Sequence, residues 1–149
     1  MNLNLWNKFV TELEAKNVPR PFSVLSVGGN AKSKLLFHGT TSTDPMLVIE
    51  SHEGLDHRFN GKNATMYGKG VYFHKESRYC HSYAHVTPSN TRIILLANVL
   101  VGNSVAQESD PTRFVPPLLP NSQVERYDSI NNSKGMYTLL KFVLHCYGL

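Results

Sequence analysis

The 149-residue sequence has only two cysteines, Cys80 and Cys146, and no long hydrophobic run. Its longest apolar stretch, residues 93–101, is interrupted by Asn98 and is too short to cross a bilayer. A buried strand is therefore expected there, not a membrane span. No basic start followed by apolar residues marks an export signal, which favours free thiols and an intracellular protein, cytoplasmic or nuclear.

Charge of one sign is nowhere concentrated. The formal net charge is +4, but no block of five like charges occurs, whereas a nucleic-acid binder usually gathers its charge on one face or arm. Nucleic acid is thus not favoured as the main partner, and a modest positive balance suits the pyrophosphate of a dinucleotide. The length and the apolar fraction of 41% are ordinary for one globular domain over residues 1–149.

Local patterns predict an α+β fold. Apolar spacing, a capping Asp44-Pro45 pair and a stop at Gly54 are typical of helices, and runs of β-branched and aliphatic residues are typical of strands. Residues 55–67 and 102–132 are rich in polar residues, glycine or proline and predict loops. The patterns predict helices at residues 5–13, 44–49 and 75–85, and strands at residues 35–37, 71–73, 92–101 and 136–144.

Three short segments have residues suited to binding a dinucleotide. The segment His38-Gly39-Thr40 follows an apolar strand, and a glycine there lets a ligand approach the backbone. The segment from Tyr67 to Phe73 presents aromatic side chains after two glycines, and aromatic faces can hold a flat ring. Cys80 and Tyr83 share one face of the third predicted helix. Each segment alone also has a purely structural explanation. The first could be a strand-end turn, the second a core strand after a glycine turn, and the third a helix that packs a tyrosine into the core.

Two other kinds of site remain open. The histidines His81 and His85, with Cys80 and the loop residues His52 and His57, could form a zinc set, although no paired-cysteine spacing is present. Cys80 could instead act as a thiol nucleophile, but adjacent residues on a helix do not face each other, so its base would have to come from elsewhere.

In order and spacing, the three segments resemble the catalytic domain of the poly(ADP-ribose) polymerase (PARP) family, and most of all its mono-ADP-ribosyltransferases. The resemblance extends through Gly102-Asn103, Pro116-Pro117 and Tyr127-Asp128-Ser129, so it covers most of the chain. It implies a split, mostly antiparallel β core with flanking helices and an NAD cleft. The fold would be trimmed at both termini, or the edge of its sheet rebuilt.

The resemblance also implies roles for individual residues. His38 and Thr40 would bind the adenosine ribose, and Gly39 would hold the nicotinamide carboxamide through its backbone. Tyr72 would lie against the nicotinamide ribose, and Tyr83 would stack on the nicotinamide ring. Cys80 stands where the family usually has a serine that donates to the carboxamide, and a thiol is a weaker donor.

A third signature position separates chain-forming from single-unit members. Chain-forming members have a glutamate at the start of a late strand, and Leu140 is expected there, with Met136 as the alternative. Neither is acidic, so neither could stabilise positive charge on the ribose or activate an acceptor.

The resemblance therefore implies transfer of single ADP-ribose units from NAD without a metal. A protein, including the chain itself, is favoured as the acceptor over a nucleic acid. The domain is expected to be a monomer that does not bind membranes. An inactive NAD- or ADP-ribose-binding module and an NAD glycohydrolase remain alternatives.

Overall fold

A computed structural model of the chain describes residues 3–16, 32–51, 54–55, 66–139 and 144–148. Within these ranges it contains three α-helices, one 3₁₀ turn and nine strands. The helices are α1 (Leu3–Ala15), α2 (Pro45–Glu50) and α3 (Ser77–Cys80), with the 3₁₀ turn directly after α3 at His81–Tyr83. The strands are β1 (Ser33–His38), β2 (Val71–His74), β3 (His85–Val86), β4 (Arg92–Ile93), β5 (Leu95–Leu100), β6 (Ser104–Ala106), β7 (Ser129–Asn131), β8 (Met136–Leu139) and β9 (Leu144–Gly148).

Seven strands form one sheet in the order β6-β7-β8-β2-β1-β5-β9. All neighbours are antiparallel except β6 and β7. Strand β1 pairs with β5 along its whole length, but it meets β2 at the single pair Phe37↔His74. The sheet is therefore split between β1 and β2, and the expected α+β fold with a split, mostly antiparallel core is confirmed.

Side-chain alternation along β5 divides the apolar residues between the two faces of the sheet. Leu95, Ala97 and Val99 belong to the main core on one face, which α2 covers with Val48. Leu100 points to the other face and packs there against α1. The rest of the main core comes from β1, β2, β8 and the segments beside them: Leu36, Leu55, Val71, Phe73, Val101 and Leu139.

Helix α1 covers the second face with the apolar stripe that its sequence predicts. Phe9 and Leu13 are fully buried against Leu100, and Trp6 packs beside them. Full burial of side chains of this size stabilises a fold by about 1.5–3 kcal/mol each. No helix among the described residues is long and apolar enough to cross a membrane.

The Tyr127-Asp128-Ser129 triplet, at the start of β7, connects that strand to the segments after α1 and β5. The Asp128 carboxylate forms an ion pair with Lys16 at the end of α1 and accepts the Asn103 N–H at 2.8 Å. It lies so close to Gly102, where φ is +58°, that no side chain would fit at that position. Ser129 donates its hydroxyl proton to the Val101 carbonyl at 2.7 Å. The described contacts of this triplet are therefore structural.

The third predicted helix, residues 75–85, is wrong in extent. It consists of one turn of α3, the 3₁₀ turn and then β3. The chain leaves the helical conformation at Ala84 because the Tyr83 carbonyl accepts the Thr41 N–H at 2.8 Å. A tertiary contact therefore overrides local helical preference here.

Three further predictions need correction. The predicted strand over residues 92–101 is divided between two sheets at Ile94, and the predicted loop over residues 102–132 contains β6 and β7. Strand β6 depends on a partner distant in sequence, β7, which local patterns do not reveal, whereas β7 also forms an antiparallel hairpin with the following β8. The last predicted strand, residues 136–144, is not a single strand: β8 ends at Leu139, and Leu144 begins β9, which pairs with β5. Residues 140–143 between them and most of the predicted loop over residues 55–67 lie outside the described residues.

Candidate active site

The turn after β1 leaves the sheet where the sheet is split. His38 is the last residue of β1 and pairs with Leu95 of β5. Thr40 then donates its hydroxyl proton to the Thr43 carbonyl at 2.6 Å, and Thr41 takes a positive φ of 53°. The Thr40 hydroxyl oxygen keeps lone pairs that could accept from a ligand. Gly39 directly follows β1, where β1 and β2 separate.

Gly39 lies directly against the backbone of Tyr83. A Cβ atom at Gly39 would lie 2.5 Å from the Tyr83 carbonyl carbon and 2.8 Å from its Cβ. Its φ is not in the left-handed region, so packing and not backbone conformation requires glycine at this position. Within the described part of the chain, no hydrogen bond occupies the Gly39 N–H or C=O. Among the described residues, therefore, nothing competes with a planar amide for this donor and acceptor.

His38 is nearly buried and is held by the backbone of β2. Its Nδ1 lies 2.7 Å from the Tyr72 carbonyl, which can only accept, so Nδ1 carries the proton. Burial lowers the pKa of His38, and the hydrogen bond to Tyr72 opposes this more weakly. At neutral pH the imidazole is therefore uncharged, and Nε2 offers a lone pair to a hydroxyl group.

Tyr72 organises the turn that precedes β2. Its hydroxyl donates to the Gly68 carbonyl at 2.6 Å and accepts the Tyr67 N–H at 2.9 Å. Burial raises the pKa of Tyr72 most, and a hydrogen bond from the Tyr67 backbone opposes the rise. Alternation along β2 directs Tyr72 away from the main core, which holds its neighbours Val71 and Phe73.

Cys80 packs against the β1–β2 junction. Its Sγ donates to the Phe37 carbonyl at 3.3 Å, and its side chain is buried. Burial raises the pKa of the thiol to about 11, so the sulfur stays protonated at neutral pH. This environment disfavours the thiol-nucleophile alternative, because the thiolate is the reactive form.

Two tyrosine side chains of the third segment meet beside the Gly39 turn. The rings of Tyr79 and Tyr83 are 5.9 Å apart, and each residue is 40% exposed. Burial raises the pKa of Tyr79 most, followed by the phenol of Tyr83 and more weakly by Cys80 and Tyr67. The stack of His74 on Tyr79 at 4.3 Å joins the end of β2 to α3, so the segment containing Tyr72 and the segment containing Cys80 and Tyr83 lie close together.

The third signature position has no acidic candidate. Leu140 lies outside the described residues, and the alternative, Met136, is buried in β8 opposite His74. Thr138, which sequence reasoning passed over, is the β8 residue directly opposite Tyr72. No aspartate or glutamate follows Asp128 in the sequence, so none of these assignments supplies a carboxylate.

A family model described as the poly(ADP-ribose) polymerase catalytic domain matches residues 2–132. This range is most of the chain, and it includes all three segments and every site residue except Leu140. The chain belongs to the PARP catalytic-domain family. The resemblance that the motifs indicate is therefore confirmed, although the match ends before β8.

Several relatives of this PARP-family chain are named protein mono-ADP-ribosyltransferases. The chain is 35% identical to human PARP12 over 107 residues, which are 71% of the chain and 15% of PARP12. It is 37% identical to mouse PARP10 over 98 residues, or 64% of the chain and 10% of PARP10. Human PARP14 is 27% identical over 138 residues, or 89% of the chain and 7% of PARP14. The chain thus spans a small part of the curated relatives it matches.

The zinc alternative gains no support from the described residues. Among them, no group of three or more histidine, cysteine, aspartate or glutamate side chains could hold a metal ion. His81 is exposed and His85 bonds through Nδ1 to the Thr41 carbonyl at 3.2 Å. The other two histidines of that alternative, His52 and His57, lie outside the described residues.

Two aromatic residues near the PARP-type site escaped the sequence analysis. His74 ends β2, and its ring stacks on that of Tyr79 at 4.3 Å. Tyr79 precedes Tyr83 by four residues, a spacing that could have drawn attention to it. No local signal connects His74 to either tyrosine.

Proposed function

We propose that this chain is an NAD-dependent mono-ADP-ribosyltransferase domain occupying residues 1–149. It would break the bond between nicotinamide and ribose in NAD and transfer one ADP-ribose to an acceptor group on a protein, including the chain itself. One observation carries the proposal: Gly39 packs on the Tyr83 backbone next to the His38 imidazole, and among the described residues no hydrogen bond occupies its N–H or C=O. In a PARP-family chain, this is the arrangement that a nicotinamide ring with its carboxamide requires.

The nicotinamide end would be held by backbone and ring. Gly39 would accept from the carboxamide NH₂ with its C=O and donate to the carboxamide oxygen with its N–H. The ring of Tyr83 would stack on the pyridinium, which places an aromatic face against a cationic ring. Cys80 would form part of the wall, with its proton already directed to the Phe37 carbonyl.

The ribose hydroxyls would be held by neutral acceptors. His38 would accept a ribose hydroxyl proton at Nε2, because its Nδ1 proton is committed to the Tyr72 carbonyl. Thr40 would assist on the same adenosine side, and Tyr72 would border the nicotinamide ribose. The dinucleotide would thus be oriented before any bond breaks, which lowers the entropy cost of the reaction.

The reaction itself needs no metal or redox partner. The acceptor attacks C1′ of the ribose, the C1′–N bond breaks, and nicotinamide leaves with the bonding electrons as a neutral molecule. The acceptor gives up its proton to solvent or to a base on the substrate. Positive charge develops on the ribose as the bond breaks, and Leu140 in the place of the glutamate would leave that charge less stabilised. Transfer would therefore be slow and limited to single units.

Incubation of the purified chain with labelled NAD tests the proposal. The expected result is a mass increase of one ADP-ribose on the chain or on an added acceptor protein. Tyr83→Ala should abolish most of this labelling, whereas Ser42→Ala, an exposed change in the turn after Gly39, should not. Release of free ADP-ribose without protein labelling would instead identify a glycohydrolase.

A binding module without transferase activity is a second candidate. It is favoured by Leu140 at the expected position of the glutamate and by the engagement of the Cys80 thiol with Phe37. Thermal stabilisation by NAD and nicotinamide without any labelling or NAD consumption would select this function over the transferase.

A further inference from the structure

His74 links the start of α3 to the aromatic side chains beside the Gly39 turn. The imidazole is nearly buried, and its Nδ1 accepts the N–H of Glu76, the residue before α3, at 3.0 Å. The same imidazole also stacks on the Tyr79 ring, with the ring centroids 4.3 Å apart and an angle of 16° between the ring planes. One side chain therefore contacts both the residue before α3 and the ring of Tyr79.

Tyr79 in turn contacts Tyr83. Their rings are 5.9 Å apart at 31°, and within the described residues Tyr79 is the aromatic partner of the Tyr83 ring. The backbone of Tyr83 is fixed separately, by the Thr41 N–H and by close packing on Gly39. The backbone contacts locate Tyr83, but they leave rotation about its side-chain bonds free.

We propose that His74 and Tyr79 are positioning residues, which hold the Tyr83 ring in the orientation that receives nicotinamide. This inference rests on the proposed function, since it assigns Tyr83 as the stacking face. Neither His74 nor Tyr79 needs to touch the dinucleotide. A ring already held in its binding orientation loses less side-chain freedom when the ligand arrives, so the affinity for nicotinamide is higher.

The stack and the hydrogen bond of His74 can be separated by substitution. His74→Phe keeps a ring for Tyr79 but removes the acceptor for Glu76, whereas His74→Asn keeps a short polar acceptor and removes the ring. Tyr79→Phe and Tyr79→Ala separate the ring of Tyr79 from its hydroxyl in the same way. His81→Ala is the matched control, because His81 is exposed in the same segment.

Calorimetric binding of nicotinamide and of ADP-ribose to the full chain tests the proposal. ADP-ribose lacks the nicotinamide ring and therefore reports whether the rest of the site is intact. We expect Tyr79→Ala and His74→Asn to weaken nicotinamide binding roughly 2- to 10-fold, the range of one aromatic contact. Their ADP-ribose affinity should change less than about 2-fold, and Tyr79→Phe, His74→Phe and His81→Ala should bind both ligands like the parent.

Other patterns would overturn the positioning role. Equal weakening of both ligands would mean that the stack only supports the fold, and unchanged nicotinamide binding in Tyr79→Ala would mean that Tyr83 needs no support. Tyr83→Ala separates the two proposals: if it binds nicotinamide normally, the stacking face itself is wrong. If His74→Asn does not fold, the Tyr79 pair and His74→Phe distinguish the same outcomes.

Discussion

Replacing Gly39 by alanine would insert a methyl group into the backbone of Tyr83. The added Cβ would lie 2.5 Å from the Tyr83 carbonyl carbon, whereas carbon atoms in contact prefer about 3.5–4.0 Å. The obstacle is backbone, so no side-chain rotation relieves it. Either the turn after β1 or the 3₁₀ turn must move by about an ångström.

The size of the effect follows from two contributions. Overpacking of a tight contact costs about 1–3 kcal/mol. The hydrogen bond from the Thr41 N–H to the Tyr83 carbonyl, 2.8 Å long, lies beside the clash, and its loss costs about 1 kcal/mol. The sum is about 2–4 kcal/mol. For a chain of this length that lowers the melting temperature by roughly 4–16 °C.

Thermal unfolding followed by circular dichroism measures this change, with Ser42→Ala as the control in the same turn. The displaced Tyr83 should also reduce the stabilisation that nicotinamide gives to Gly39→Ala. If Gly39→Ala and Ser42→Ala melt at the same temperature, the close contact between Gly39 and Tyr83 does not exist in solution and the site described above is wrong.

Three further outcomes are expected. Because burial lowers the pKa of His38 from its ordinary value of 6.5, the unfolded chain binds more protons below that pH. Stability should therefore fall from about pH 6.5 downward by at most about 1.4 kcal/mol per unit, and urea unfolding of His38→Gln should show a weaker fall. Because the pKa of Cys80 is raised to about 11, its thiol should react slowly with iodoacetamide at pH 8 in a Cys146→Ser background. The rate for the folded chain should be about 100-fold or more below the rate for the unfolded chain, and equal rates would contradict the burial of Cys80. Asp128→Ala should lower the free energy of unfolding by about 1–3 kcal/mol, and Lys16→Ala should lower it by about 1 kcal/mol or less, because only the Asp128 carboxylate also accepts a backbone N–H. Equal losses would mean that the ion pair alone contributes and that the hydrogen bond to Asn103 does not.

Helices α1 and α2 could be predicted from the sequence, because their signals lie within the helices themselves. The apolar spacing of Phe9 and Leu13 defines the buried stripe of α1, and both residues are in the core. The Asp44-Pro45 pair starts α2, where the Asp44 carboxylate accepts the Met46 N–H at 2.9 Å. Such signals depend on residues within one or two helical turns of each other.

The sequence also contained the residue types of the site in their family order, from His38-Gly39 to Tyr83. Order along the chain and motif spacing are enough to identify a family, because they are inherited with the fold. They do not give the third signature position, since several apolar residues around Leu140 fit equally well and no distinctive neighbour fixes the register.

Tertiary packing was needed to bring Gly39 onto the Tyr83 backbone and His74 beneath Tyr79. The first contact joins segments 44 residues apart, and the neighbouring hydrogen bond from Thr41 to Tyr83 ends the helical structure that local preference would have continued beyond Tyr83. The second joins the end of β2 to α3, beside the hydrogen bond from the Glu76 N–H to His74. Residue types, helix boundaries near a cap and membership of the family follow from the order of amino acids. Contacts between distant segments do not, because their energies arise only once both segments have folded against each other.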